Sequence, residues 1–347
     1  YNLTKHGTLA IKNFDGYLLP NLWMPPLYAY YIYFFSFFKL EHQNFITLIL
    51  FSQVLLASIS VIIFYKINKL FFSNKISLFN ALLFSLFPLY AYSCGQISSA
   101  SLHIFLAIFF YYYFFQIANK KKKLSIFLFS LIAGLLILTR REFVIVFILS
   151  SFYLFLFFKI PIKKILLIVL ITLITTSPYL IRNFLIFEKI IIQAGLGYNV
   201  WKANNPNSKV EGSNFIDDNL QNKIDKIPKD KFYRINEDKI FLKEGIQNIK
   251  EKPKRYLILY LKKIASFLFI DLNSSDPHYY NPFHYIPVIL IGITSLLGII
   301  FSNKKSCKLN YLILIFFLYV ITFSFFAILP RYKLAIIPLQ IIFTNIL

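Results

Sequence analysis

Long apolar runs are the feature that most restricts how this chain of 347 residues can fold. A helix that crosses the hydrocarbon core of a bilayer needs about 20 mostly apolar residues. Runs of this kind recur at 45–65, 97–118, 165–185 and 309–329. Only 15% of the residues are charged, whereas ordinary soluble domains have about 25%. The sequence therefore predicts an all-α integral membrane protein of about nine or ten helices, with one extracytoplasmic loop domain.

The net charge of +22 is better explained by membrane topology than by nucleic-acid binding. Its lysines cluster in short loops between the apolar runs, as in Lys120-Lys121-Lys122-Lys123. Lys and Arg are enriched in the cytoplasmic loops of membrane proteins. We therefore expect contact with the membrane and no nucleic-acid partner.

Counting spans between the lysine-rich loops places the long polar segment 187–255 on the extracytoplasmic side. This segment holds 10 of the 15 acidic residues and 14 Lys and Arg, which is typical of a folded domain with mixed charge. Within it, the pattern of 240–249 predicts a helix that ends near Pro253.

The topology divides the chain into five regions. These are a first extracytoplasmic loop at 1–25, an N-terminal transmembrane bundle at 26–186, the polar loop at 187–255, an interfacial amphipathic helix at 256–270, and C-terminal transmembrane helices at 271–347. Segment 256–270 carries Lys262 and Lys263 at its centre, which disfavours a span, although a span with snorkelling lysines is the alternative. Residues 26–38 suit either a re-entrant element or a tilted span.

Few acidic residues lie outside the polar loop, and the topology places them at the outer face. Asp15 and Glu142 are the candidate catalytic acids, because a carboxylate there can act as a general base. Four basic residues reach the same face and are candidates for binding a lipid phosphate: Arg140, Arg141, Arg331 and Lys333. For any one of them, a simple charge at the water boundary is the alternative. Trp23 and Trp201 are expected to be interface anchors rather than sugar-stacking platforms.

Four stretches carry a family resemblance. They are Tyr1 to Leu9 with the following Met24-Pro25-Pro26-Leu27-Tyr28, the turn that ends in Thr139-Arg140-Arg141-Glu142, the loop 197–206, and the late segment Arg331-Tyr332-Lys333-Leu334 with Pro338. In this order the stretches resemble the bacterial GT-C membrane glycosyltransferases, which are related to protein mannosyltransferases and aminoarabinose transferases. The resemblance implies a GT-C-like bundle of transmembrane helices.

The resemblance also implies a reaction. Such enzymes move a sugar from a polyprenyl-phosphate carrier to a glycan, lipid or protein acceptor at the extracytoplasmic face, here expected to be that of a bacterial inner membrane. An acidic residue in the first outer loop serves as base or as ligand of a divalent metal ion, so such an ion is a candidate cofactor. Basic residues hold the phosphate of the lipid.

Two departures from the family pattern affect the acids. The family's catalytic Asp precedes the tyrosine that resembles Tyr1, so the chain is expected to be a fragment without it, unless Asp15 substitutes. Ala100 stands where many relatives carry Glu, and Ala335 replaces a proline of the late motif. Two other functions stay open: an O-antigen polymerase or ligase, which would use loop arginines such as Arg234 and Arg255, and a multi-span transporter.

Overall fold

The computed structural model describes residues 2–14, 17–119, 123–271, 281–302 and 306–346. Their secondary structure is helical, apart from one antiparallel hairpin of β1 and β2. In chain order the elements are α1 (Asn2–His6), β1 (Ala10–Phe14), β2 (Tyr17–Pro20), α2 (Leu27–Ser36), α3 (His42–Asn68), α4 (Asn74–Leu86), α5 (Pro88–Cys94), α6 (Ala100–Ala118), α7 (Lys123–Thr139), α8 (Phe143–Leu156), α9 (Ile162–Phe187), α10 (Leu196–Ala203), α11 (Asp218–Asp225), α12 (Tyr233–Glu251), α13 (Pro253–Leu268), α14 (Pro282–Phe301), α15 (Cys307–Phe323), α16 (Pro330–Lys333) and α17 (Ile337–Thr344).

The predicted all-α membrane fold is confirmed. In the described part of the chain, α3, α6, α9 and α14 are long and apolar enough to cross a bilayer. Helices α4 and α5 together form a fifth candidate, bent by 55°. The bend occurs before Pro88, which has no N–H to donate and holds Phe87 in an extended conformation. Helices α7, α8 and α15 are apolar but shorter.

The chain divides into two compact units. The first unit comprises Tyr1–Tyr33, Pro178–Ser275 and Val320–Leu329, and the second comprises Phe34–Ser177, Asp276–Tyr319 and Pro330–Leu347.

The second unit is a helical bundle in which several buried polar groups pair with one another. Asn80 donates to Asn68 over 2.7 Å, and Asn345 donates to Asn80 over 2.8 Å, which joins α3, α4 and the end of α17. Tyr311 shares a 2.8 Å hydrogen bond with Ser150 and stacks on Phe114 at 3.7 Å. These hydrogen bonds offset the free-energy cost of burying polar groups in an apolar bundle.

The first unit contains the polar loop, which is folded around its own hydrophobic core. Trp201, Leu220, Ile224, Ile227 and Phe241 form that core, with contributions from α10, α11 and α12. The glycine at position 197 lets α10 approach α12 closely, since a Cβ there would lie only 1.9 Å from the Asp238 carbonyl oxygen. The Asp217 side chain caps α11 by accepting a hydrogen bond from the Leu220 N–H.

Most predicted runs coincide with helices, but one of them differs. The helix predicted at 240–249 is confirmed within α12, which ends at Glu251, just before Pro253. The run 309–329 was expected to be one span, and this prediction is wrong beyond Phe323, where α15 ends. The following segment is non-helical, and its Ile328 N–H donates to the Val210 carbonyl over 2.9 Å. Apolar composition alone does not distinguish a helix from a buried extended segment.

The described residues form more helices than the nine or ten expected. The additional ones are short, and they come from the polar loop, from the broken pair α4 and α5, and from the turns near the C-terminus.

Candidate functional site

The predicted Arg140-Arg141-Glu142 cluster occupies a tight turn in the second unit. The turn joins α7 to α8, and helical hydrogen bonds continue through it: the Arg140 N–H donates to the Leu136 carbonyl over 2.8 Å, and the Phe143 N–H donates to the Arg140 carbonyl over 3.1 Å. All three side chains of the turn are half-buried. The turn therefore holds two guanidiniums and one carboxylate in a short, hydrogen-bonded stretch of backbone.

Close helix packing fixes the position of α7, and hence of this turn. Gly134 lies opposite Thr175 of α9, and a Cβ at position 134 would lie 2.5 Å from the Thr175 Cβ. No real side chain tolerates that distance without movement of one helix. Gly134 is thus explained by a helix contact, about 1.7 turns before Arg140.

The other predicted basic residues lie on the short helix α16. Arg331 is exposed, whereas Lys333 is only 1% exposed and is engaged in an interaction within the structure. Helix α17 follows directly, and its residues Ile337 to Phe343 are all buried. The buried α17 anchors α16, so the backbone that carries Arg331 belongs to a well-packed part of the second unit.

The structure brings Arg140 and Arg331 to the same tyrosine. The guanidinium carbon of Arg140 lies 5.5 Å from the centre of the Tyr332 ring, and that of Arg331 lies 5.6 Å from it. Both distances are typical of cation–π contacts. The two guanidiniums, 191 residues apart in the chain, are therefore at most about 11 Å apart. Arg141, in the turn beside Arg140, makes further contacts of its own.

Neither Arg140 nor Arg331 forms an ion pair with a carboxylate in the part of the chain that the structure describes. The ion pairs found there involve Lys223, Lys231 and Arg234, all of the first unit. Three arginines, Arg140, Arg141 and Arg331, against the single carboxylate of Glu142 in the turn leave an excess of positive charge. Arginine forks match the oxygens of a phosphate group, so the chemistry of the site favours a phosphate-bearing ligand.

The two candidate acids have different standing. Glu142 is half-buried in the turn beside Arg141, and both Glu142 and Arg140 lie within electrostatic range of the Tyr319 hydroxyl. Asp15 lies outside the described residues. Within the described ranges, no three His, Cys, Asp or Glu side chains come together as metal ligands.

One polar residue near this site was missed from the sequence. His103 of α6 is 4% exposed, its ring meets that of Phe143 edge to face at 6.1 Å, and Arg140 lies within its electrostatic range. Its Nδ1 has no hydrogen-bond partner among the described residues. A histidine inside an apolar helix could have been identified from the sequence as a candidate site residue, because ionisable groups are rare in membrane spans. Here it lies three residues after Ala100, the position at which relatives carry Glu.

Trp201 lies in the interior of the first unit, so its interpretation as an interface anchor is wrong. Trp201 is 2% exposed and belongs to the hydrophobic core of the polar loop. Trp23 contacts Tyr198 edge to face at 5.0 Å and carries the Arg234 guanidinium at 5.4 Å. Local sequence could not show that these rings pack against α12.

Loop arginines of the first unit have structural contacts. Arg234 pairs with Glu237 over 2.6 Å, and Arg255 donates to the Pro206 carbonyl. Arg182 donates to the Leu9 and Asn21 carbonyls over 3.2 and 3.3 Å, which secures the N-terminal segment. Arg234 and Arg182 are thus already occupied by protein groups.

Comparison with known proteins bears on these findings. Residues 24–181 match the model of the family described as dolichyl-phosphate-mannose-protein mannosyltransferase. The chain resembles the GT-C membrane glycosyltransferases, as predicted. The matched stretch, a little under half of the chain, includes the Met24-Pro25-Pro26 motif and the Arg140 turn but not Arg331. No curated protein and no solved structure gives a significant match.

The family match supports a membrane glycosyltransferase that uses a lipid-linked sugar donor. Together with the apolar helices, it supports an integral membrane location.

Proposed function

We propose that this protein transfers a sugar from a polyprenyl-phosphate donor to an acceptor at the extracytoplasmic face of a bacterial inner membrane. The acceptor would be a hydroxyl of a glycan, lipid or protein. The observation that carries the proposal is the pair of arginines, Arg140 and Arg331, that share the Tyr332 ring without a described carboxylate partner. Such a pair suits the phosphate that links the sugar to its lipid.

The chemistry assigns a role to each group. In the reaction, the bond between the sugar's anomeric carbon and the phosphate oxygen breaks, and a bond from that carbon to the acceptor oxygen forms. The acceptor proton passes to a carboxylate, and the departing phosphate takes the bonding electrons. Arg140 and Arg331, with Arg141 and Lys333, would offset the growing charge on the phosphate, which lowers the barrier.

We favour Glu142 as the carboxylate that takes the proton, because it shares a turn with Arg140. Asp15 is the alternative base. A base must lie within hydrogen-bonding reach of the acceptor hydroxyl, so the two candidates imply different positions for the acceptor.

Sugar transfer by the full-length protein tests the proposal. The protein in detergent is incubated with radiolabelled polyprenyl-phosphate sugars, and label in the acceptor fraction is counted. We expect Arg331→Ala to reduce transfer about 100-fold, as for the loss of one preorganised group that stabilises transition-state charge. The transfer rate of Arg331→Lys should lie between those of the wild type and Arg331→Ala. The lysine ammonium keeps the positive charge but lacks the forked hydrogen-bond donors of a guanidinium.

Lys163→Ala is the matched control, since Lys163 is an exposed cation of the second unit, on α9. It should transfer sugar like the wild type. Equal turnover by wild type and Arg331→Ala would remove Arg331 from the site and with it the main support for this function.

A further inference from the structure

The first unit contains a cavity of about 740 Å³, and none of the residues predicted to act in sugar transfer lines it. Four cationic side chains line it, Lys209, Lys254, Arg255 and Lys262, together with one carboxylate, Asp271. Its size falls within the range of cavities that bind small molecules.

Helix α13 forms one wall of the cavity. Lys254, Ile258 and Lys262 follow one another at intervals of four residues, so their side chains project from one face of the helix. The cations therefore alternate with an apolar side chain along this wall. Leu259, on the adjoining side of the same face, adds to the apolar part.

A buried lysine joins this wall to the opposite one. Lys263, 1% exposed, donates to the Ala203 carbonyl over 2.8 Å and lies 3.5 Å from the Asn204 side-chain oxygen. Beyond that point the chain turns, with the Asn205 N–H donating to the Ser208 hydroxyl over 2.8 Å. Ser208 and Lys209 then line the cavity. Hydrogen bonds thus hold both walls in place, and the cavity is preformed.

The charges around the cavity favour an anion. Lys209, Lys254 and Lys262 form no ion pair with any described residue. Lys209, Lys254 and Lys262 are exposed, whereas Asp271 is 5% exposed and already engaged in an interaction. Four cations against one carboxylate leave an excess of positive charge directed into the cavity.

The surface beside the cavity favours an amphiphile over a soluble anion. Three apolar side chains of α13, Leu257, Ile258 and Leu261, are 60%, 45% and 55% exposed. Exposed apolar side chains flanked by lysines are typical of a helix that lies along a membrane surface and attracts anionic lipids.

We propose that this cavity binds the phosphate headgroup of an anionic lipid, with the lipid chain lying against the apolar face of α13. The headgroup contacts Lys254 and Lys262 on one wall and Lys209 on the other. This binding is independent of sugar transfer, because it uses side chains of the first unit alone.

Lipid binding to the full-length protein in detergent tests the proposal. Native mass spectrometry counts bound lipid during titration with dioleoyl phosphatidic acid, with dioleoyl phosphatidylcholine as the neutral counterpart. We expect at least a tenfold preference for the phosphatidic acid. The variant Lys254→Ala/Lys262→Ala should weaken its binding about 30-fold, since each cation near an anionic lipid contributes about fivefold.

Matched controls separate this site from general charge effects. Lys243→Ala/Lys250→Ala removes two exposed lysines from α12 of the same unit and should bind like the wild type. Arg331→Ala should also leave this binding unchanged, so a loss of sugar transfer and a loss of cavity binding are distinguishable. The unfolding temperatures of the two lysine variants, followed by fluorescence of Trp23 and Trp201, show whether the unit is intact.

Three outcomes would overturn the proposal. The first is equal binding of the two lipids, and the second is equal weakening in the two double-lysine variants. The third is displacement of phosphatidic acid by inorganic phosphate at equal concentration, which would show a site for free phosphate rather than for a lipid.

Discussion

Replacement of Tyr332 separates the ring's role from that of the hydroxyl. The ring lies within 5.6 Å of both guanidinium carbons, those of Arg140 and Arg331. Tyr332→Phe keeps the aromatic face, whereas Tyr332→Leu removes it. If the ring holds the two cations in position for a phosphate, only the leucine variant should lose donor affinity.

The magnitudes show that the ring can hold the arginines together. At the largest separation the geometry allows, about 11 Å, two unit charges repel by about 0.4 kcal/mol in water and about 1.5 kcal/mol at an effective dielectric constant of 20. Each cation–π contact contributes about 1 kcal/mol at a half-buried ring, so the two together offset the repulsion at that separation, which is the smallest repulsion that the geometry allows.

The loss of donor affinity on removal of the ring follows from the conformational entropy of the two arginine side chains. Without the ring the two arginines extend into solvent, and each must be immobilised again when the donor binds. That ordering costs about 1 kcal/mol for each long side chain, hence about 2 kcal/mol for the pair. We therefore expect Tyr332→Leu to raise the KM for the polyprenyl-phosphate donor about 30-fold.

Initial rates of sugar transfer at varied donor concentration give KM and kcat for each variant. Tyr65→Leu is the matched control, because it removes a tyrosine that carries a single cation, Lys69 at 5.7 Å, elsewhere in the second unit. Its KM should equal that of the wild type. Equal KM values for Tyr332→Leu and Tyr332→Phe would refute the reasoning, because removal of the aromatic ring would then have no effect on donor binding beyond that of removing the hydroxyl.

Three further predictions concern the acid, a helix contact and a buried lysine. Glu142→Gln should reduce kcat for transfer at least 100-fold with little change in donor KM if Glu142 is the base, and unchanged kcat would leave that role to Asp15. Gly134→Ala should destabilise the protein by about 1–3 kcal/mol because of the 2.5 Å approach to Thr175, and Thr175→Gly should restore part of the unfolding temperature. Burial lowers the pKa of Lys263 from 10.5 to about 7. Below pH 7 this lysine is charged in both folded and unfolded states, so stability should rise between about pH 7 and 10.5, by about 1.4 kcal/mol per pH unit. The rise, measured by chemical denaturation with Trp23 and Trp201 fluorescence, should be smaller in Lys263→Met, and an identical slope in both proteins would contradict it.

Local sequence carried the prediction of the helices and of the basic cluster. An apolar run long enough to cross a bilayer restricts its own backbone to a helix, because every N–H and C=O must be satisfied within the segment. Arg140, Arg141 and Glu142 could be identified because they are consecutive and interrupt two such runs. The same reasoning failed for residues after Phe323, where tertiary contacts with the polar loop replaced the helix.

Other features depend on residues far apart in the chain. The burial of Trp201 depends on α12, and the proximity of His103 to Arg140 depends on the packing of α6 with α7. The cavity needs Lys263 to reach Ala203, sixty residues earlier. None of these contacts produces a hydrophobic periodicity or a local motif in the sequence, because each depends on how distant segments pack in three dimensions.

By itself, then, the sequence determined that this chain is a helical membrane protein with cationic side chains in two distant segments that adjoin apolar runs. Only the tertiary structure decided that two of those side chains, on Arg140 and Arg331, share one aromatic ring. The physical reason is that hydrophobicity and helix formation act over neighbouring residues, whereas a binding site is made by the distances between side chains that folding brings together.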